Sequence, residues 1–219
     1  MKYFNQERIM SYEALRSVPV QDNGEPLVPL VPSDRLSVAQ IGADMQAITG
    51  NQIFVRESVA SMLSAAGQKL TESNDTYQLQ IVYGYRALSI QRRLFDEQCA
   101  LLAGSYPDKD TLFEAAHQYI AVPQIAGHPT GGAIDIQLVQ QGTPIEFGTT
   151  IWDFTKHSKT FATSISAETR SNRLLLRSIL LQSGFAPFDG EWWHFSYGDR
   201  EWAAYYEQRS AIYEQTELA

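Results

Sequence analysis

The chain has 219 residues, 44% of them hydrophobic and 11% aromatic, which suits one domain with modest extensions and a core that needs no disulfides. A formal net charge of −8 and a pI near 5.0 concentrate no positive charge to neutralise phosphates, which argues against a general nucleic-acid or anionic-membrane surface. No stretch reaches the roughly 20 apolar residues of a membrane span, and Met1 to Arg8 lacks the apolar core and small-residue cleavage site of an export signal, so a cytoplasmic protein is expected unless a leader has been removed.

Residues 17–34 hold four prolines and read as an extended arm on the body, so residues 1–50 are expected as an amino-terminal arm and 51–219 as the main domain. Val55, Val59, Met62, Leu63, Ala66 and Leu70 recur at helical spacing. After the break at Glu72 to Asp75, Tyr77 to Tyr85 alternates as a strand, with Leu79, Ile81, Tyr83 and Tyr85 on one face and Gln78 and Gln80 on the other. A helix is predicted from about Ser89 to Leu102, stopping at Gly104. It carries Arg92 and Arg93 on a solvated face, and the single cysteine, Cys99, as a buried structural thiol. A third helix, behind Pro107 and capped by Asp110, carries Leu112, Ala115, Ala116 and Tyr119, with His117 read as solvated.

The turn Gly127 to Gly132 feeds a strand in which Ile134, Ile136 and Leu138 alternate with Asp135 and Gln137. His157, in a polar stretch, also reads as solvated. A leucine-rich helix from about Ser166 to Ser183 carries Glu168 in its first turn and stops at Gly184. A strand from Trp192 to Tyr197 follows, with Trp192, His194 and Ser196 facing away from Trp193, Phe195 and Tyr197. The last helix starts after Asp199 and carries Trp202, Tyr205, Tyr206 and Tyr213. Helices precede, interrupt and follow a few strands without regular βαβ alternation. The expected class is α+β, a small, mostly antiparallel sheet with flanking helices.

Two clusters carry chemistry. In Gly127-His128-Pro129-Thr130-Gly131-Gly132-Ala133-Ile134-Asp135 the glycines permit tight backbone near a bound group, and alternation turns Asp135 away from its isoleucine neighbours. Taken alone, a solvent-facing Asp135 after a turn is an equal reading. In Glu191-Trp192-Trp193-His194, His194 is directed away from the core face and Glu191 stands three residues before it. Glu-x-x-His alone recurs by chance. Two imidazoles and one carboxylate nevertheless form a known three-ligand set for catalytic zinc with a position left for water. A nearby carboxylate would then accept that water's proton.

Together, His-x6-Asp after a glycine turn and Glu-Trp-Trp-His on a later strand resemble the zinc D-Ala-D-Ala metallopeptidases, and most closely the VanX-type D-alanyl-D-alanine dipeptidases. Tyr85-Arg86 with Gln91 is similar to the family's Tyr-Arg segment, and Phe147-Gly148-Thr149 through Asp153 and His157 to its Met-Gly-Thr-x-Phe-Asp stretch. The likeness runs from about residue 50 to 205. It implies a hedgehog-like peptidase fold and one zinc ion per chain on His128, Asp135 and His194. It also implies Glu191 as catalytic base, Arg86 as oxyanion stabiliser, and Tyr85 and Asp153 as contacts to a small D-Ala-D-Ala-like peptide. Two residues depart from the family pattern. Ala126 replaces a serine associated with substrate contact, and Asp153, expected to hold the substrate's free amine, falls one residue late. The alternatives are a D,D- or L,D-carboxypeptidase or endopeptidase acting on peptidoglycan stems, or a zinc-stabilised binding module like the hedgehog signalling domains. Glu191 and Arg86 weigh against the binding module, since a structural zinc needs neither. Oligomeric state is not readable from the sequence.

Overall fold

The computed structural model describes residues 6–218; residues 1–5, within the stretch read for an export signal, and residue 219 lie outside the described residues. The elements begin with helix α1 (Tyr12–Arg16), strands β1 (Leu27–Pro29) and β2 (Leu36–Val38), helix α2 (Ala43–Thr49) and strand β3 (Phe54–Arg56). Helix α3 (Glu57–Ser73), strand β4 (Tyr77–Tyr83) and helices α4 (Leu88–Leu102) and α5 (Lys109–His117) follow. Then come strands β5 (Ala133–Gln140) and β6 (Thr143–Pro144), helix α6 (Ala167–Gln182), strands β7 (Ala186–Pro187) and β8 (His194–Ser196), and helix α7 (Arg200–Tyr205). The main sheet has six strands in the order β2-β4-β5-β8-β7, with β6 also on β5. Only the β2–β4 pair is parallel, so the α+β class with a mostly antiparallel sheet holds.

The sheet's inner face is built from the alternation of two strands. Leu79 and Ile81 of β4 and Ile134, Ile136 and Leu138 of β5 are all sealed from solvent in one core. Onto it α3 lays Val59, Leu63, Ala66 and Leu70, spaced as one helical stripe, and α6 lays Leu176, Ile179 and Leu180. Segments between residues 20 and 50 join the same body: β2 is an edge strand of the main sheet, β1 pairs with β3, and Val20 bridges to Ala211.

Three expectations are corrected by packing. Strand β8 begins only at His194, so alternation does not govern Trp192. Its ring stacks on Phe147 at 4.0 Å in the core instead of sharing the His194 face. Helix α7 ends at Tyr205, and Tyr213 is buried by the segment after it. His117 is buried, because α1 and the segment around Val122 close over the end of α5; Leu15 packs with Ala116 and Val122.

That burial makes stability depend on pH. Desolvation holds His117 below the ordinary imidazole pKa of 6.5, against the opposing charge of Glu114 and a hydrogen bond to the Met10 backbone. The unfolded chain therefore takes up a proton below about pH 6.5 that the folded chain refuses. Stability is full above that pH and falls as the pH drops through it. We expect the melting temperature of the wild-type protein to fall more steeply between pH 7 and pH 5 than that of a His117→Gln variant. Parallel slopes in thermal melts across that range would show that His117 titrates normally.

Candidate metal centre and catalytic site

The site is one row of side chains across three strands. Asp135 of β5 lies directly opposite His194 of β8, and on its other side opposite Tyr83 of β4. Directly opposed residues share a face, so all three point off the same side of the sheet. Tyr83 reaches that face through a bulge. The register passes from Ile81–Ile136 to Tyr83–Asp135, so one extra residue on β4 reverses the alternation expected from Leu79 and Ile81.

His128 completes the set from the 3-10 turn His128–Thr130 just before β5. The turn closes at Gly131, whose φ of +74° and proximity to Leu27 leave no room for a side chain. Buried Arg56 donates to Thr130 O at 2.6 Å and Glu214 O at 2.7 Å, fixing the turn against β3 and the carboxyl-terminal segment.

Ligand atoms of His128, Asp135 and His194 all lie within 4.8 Å of one another. Asp135 Oδ1 stands 3.5 Å from His128 Nε2 and 3.1 Å from His194 Nδ1. His128 Nδ1 lies 2.8 Å from Gly84 O, which can only accept, so Nδ1 carries the proton and Nε2 presents its lone pair inward. Asp135 Oδ2 accepts from Trp152 Nε1 at 2.9 Å, leaving Oδ1 to the centre. Two of the three ligands thus have the orienting partners behind them that metal sites use.

The electrostatics hold Asp135 as an anion at the centre. Burial alone would raise Asp135, but the charges and hydrogen bonds of His128 and His194 hold it well below the carboxylate range. Burial drives His128 down to about 4. Burial would also lower His194, yet the hydrogen bond and charge of Asp135, with Glu201 and Glu191 behind it, carry it up to about 9. The donor set fits a divalent cation.

Arg86, His128, Asp135, Glu191 and His194 line one cavity together with Trp152, Phe154 and Glu201. Burial pushes Glu191 up to about 8, opposed by His194. Arg86 is held by Gln91 Oε1 at 2.8 Å and Tyr83 Oη at 3.2 Å, with its guanidinium 4.8 Å from the Tyr83 ring. Its backbone N–H donates to His128 O, tying the Tyr-Arg segment to the glycine turn.

A family model described as D-ala-D-ala dipeptidase matches residues 36–215. The chain belongs to the D-ala-D-ala dipeptidase family. A D-alanyl-D-alanine dipeptidase of Synechocystis sp. is 29% identical over 225 residues, covering 88% of this chain and 90% of that protein. One from Enterococcus faecium is 33% identical over 92 residues, covering 41% of this chain and 45% of its own length. Among solved structures, the LdcB LD-carboxypeptidase aligns over 83% of this chain and 72% of that one, with a TM-score of 0.50 and 20% identity, a likeness of fold.

Within this D-ala-D-ala dipeptidase family member, the two expected substrate contacts lie elsewhere. Tyr85 is buried and donates to Thr216 O at 3.0 Å, outside the cavity lining. Asp153 lines a separate depression with Gln137, Thr149 and Trp192. The preceding residue, Trp152, sits at a φ of +66° and turns its ring to Asp135, so the residue that reaches the centre from this loop is a tryptophan. Ala126 does line the cavity and offers it only a methyl group. Tyr83, Trp152 and Glu201 are site residues that no sequence pattern singled out.

Proposed function

We propose that the chain is a zinc-dependent dipeptidase that hydrolyses D-Ala-D-Ala or a closely related small dipeptide. The observation that carries this reading is the convergence of His128, Asp135, His194, Glu191 and Arg86 on one cavity in a member of this family. His128 Nε2, Asp135 Oδ1 and His194 Nδ1 would hold the ion. A bound Zn²⁺ supplies Lewis acidity, polarising the scissile carbonyl and acidifying water beside it.

The chain's own groups do the rest. Glu191 takes a proton from the attacking water as its oxygen bonds to the carbonyl carbon, then delivers that proton to the departing amine as the C–N bond breaks. Arg86 spends Nε and one Nη1 hydrogen on Tyr83 and Gln91, which fixes the guanidinium plane beside the developing oxyanion. Trp152 and Phe154 add aromatic surface to the cavity lining.

The test is release of free alanine from a panel of D,D-, L,D- and L,L-dipeptides, with and without a chelator. We expect the D,D-dipeptide to be cleaved fastest, with loss of turnover on metal stripping and recovery on adding Zn²⁺. No alanine from any dipeptide would sink the reading, and undiminished turnover after stripping would sink the metal's role. Arg86→Ala should cut kcat by about 10²- to 10³-fold, the scale of losing one oxyanion donor, while leaving zinc content unchanged. A parallel loss of zinc would mean that Arg86 acts on the glycine turn instead.

A further inference from the structure

An unblocked dipeptide carries a primary ammonium close to its scissile bond, and Asp153 faces a different depression from the one holding the triad. We propose that Glu201 forms the ammonium subsite of this cavity and makes the enzyme select peptides with a free amino terminus. This rests on the dipeptidase reading above.

Glu201 lines the same cavity as Glu191, His194 and Asp135, and its side chain is only 14% exposed. Its Oε1 is sealed from solvent and has no hydrogen-bond partner among the described residues. Its Oε2 stands 3.9 Å from His194 Nε2, beyond hydrogen-bond range. The neighbouring cations are engaged elsewhere. Arg86 is held by Gln91 and Tyr83, Arg177 is paired with Asp189, and Arg200 donates to the carbonyls of Leu15, Arg16 and Val18.

A carboxylate in so enclosed a place is costly unless something positive meets it. Among the described residues His194 Nε2 is the group that faces Oε2 and nothing meets Oε1, and the cavity Glu201 lines is where the substrate enters. A primary ammonium brings one positive charge and three N–H donors. An N-acylated peptide, or a peptide extended at its amino end, presents a neutral amide there instead and would leave Glu201 with only His194 facing it. The apolar wall of Leu15, Ile120 and Phe188 gives such an extension no charged alternative. Selectivity of this kind separates a dipeptidase from a carboxypeptidase built on the same metal centre.

The test measures binding without turnover. Zinc-loaded Glu191→Gln protein, with and without Glu201→Gln, is titrated by calorimetry with D-Ala-D-Ala and with N-acetyl-D-Ala-D-Ala, and its zinc content is measured. We expect Glu201→Gln to weaken the free dipeptide by about 10- to 100-fold, the value of a charge-assisted hydrogen bond. The acetylated peptide should change by less than about two-fold, and zinc content should hold. Equal weakening of both peptides, or lost zinc, would overturn the subsite and make Glu201 a positioning residue for His194. An unchanged affinity would overturn it outright. Equal binding of the two peptides before Glu201 is touched would do so even if the double variant failed to fold, as would failure of the free dipeptide to bind. If the free dipeptide binds selectively but the enzyme with Glu191 intact releases no alanine, the peptidase reading fails and the ammonium subsite stands.

Discussion

Glu191→Gln is expected to lower kcat by about 10²- to 10⁴-fold, the range of a lost general base, with no loss of melting temperature. Both halves of that expectation come from how Glu191 is held. Its backbone is fixed, with the N–H donating to Phe188 O at 3.0 Å and the carbonyl accepting from His194 N at 3.4 Å. Its carboxyl makes no hydrogen bond or ion pair among the described residues and lines the cavity beside the triad. The side chain therefore holds nothing in place that glutamine of the same shape would release, and a neutral amide also removes the cost of burying a carboxyl held above its ordinary pKa, so stability should be kept or raised. Glutamine keeps the volume but cannot take a proton from water, so the loss should appear in kcat with zinc content intact. Saturating dipeptide kinetics, metal analysis and a thermal melt on one preparation decide it. A variant that retains kcat within a few-fold of wild type has its base elsewhere.

Why Glu191 and the triad could be read from sequence, and their neighbours could not, has a physical basis. His128, Asp135 and His194 sit in two short motifs whose local rules, a glycine turn and strand alternation, turn Asp135 and His194 away from the core face, and the resemblance to the zinc metallopeptidases joins them into one ligand set. Tyr83 depends on a bulge that reverses the alternation of β4, and nothing in Tyr77 to Tyr85 marks where the extra residue falls. Trp152 depends on a non-glycine residue at positive φ, a conformation that composition disfavours and only the surrounding loop enforces. The same turn is what removed Asp153 from the cavity, although its spacing was only one residue off. Helix α3 followed its periodicity closely, since it buries a single stripe. Burial of His117 and the contribution of β2 to the sheet arise from contacts between segments far apart in the chain, which periodicity does not encode.

The least legible feature is the pair of arginines on α6, where a leucine-rich stripe was expected and Arg173 and Arg177 are as buried as the leucines. Arg173 donates to the carbonyls of Phe147, His157 and Lys159, which fastens the loop carrying Trp152. Arg177 grips Asp189 with two parallel bonds, Nε to Oδ1 at 2.8 Å and Nη2 to Oδ2 at 2.9 Å, with both side chains at most 2% exposed. Asp189 also accepts from the Arg8 backbone N–H at 2.8 Å, and its own carbonyl accepts from Thr160 N. One carboxylate thus joins α6, the amino-terminal segment and the turn that delivers Glu191 two residues later.

Asp189→Ala should therefore cost about 3–5 kcal/mol, because it leaves a buried guanidinium without its counter-charge. In a chain of this size that lowers the melting temperature by about 6–20 °C, at 2–4 °C per kcal/mol. Arg177→Met in the same protein should restore part of the loss, since removing both charges leaves no buried ion unpaired, whereas additive losses would mean that each residue acts through separate contacts. Denaturant unfolding of the two single variants and the double variant closes the cycle. A single-variant loss below about 1 kcal/mol would put the pair in the class of exposed ion pairs, and the turn before Glu191 would then have to owe its position to Thr160 and the aromatic packing around Trp192 alone.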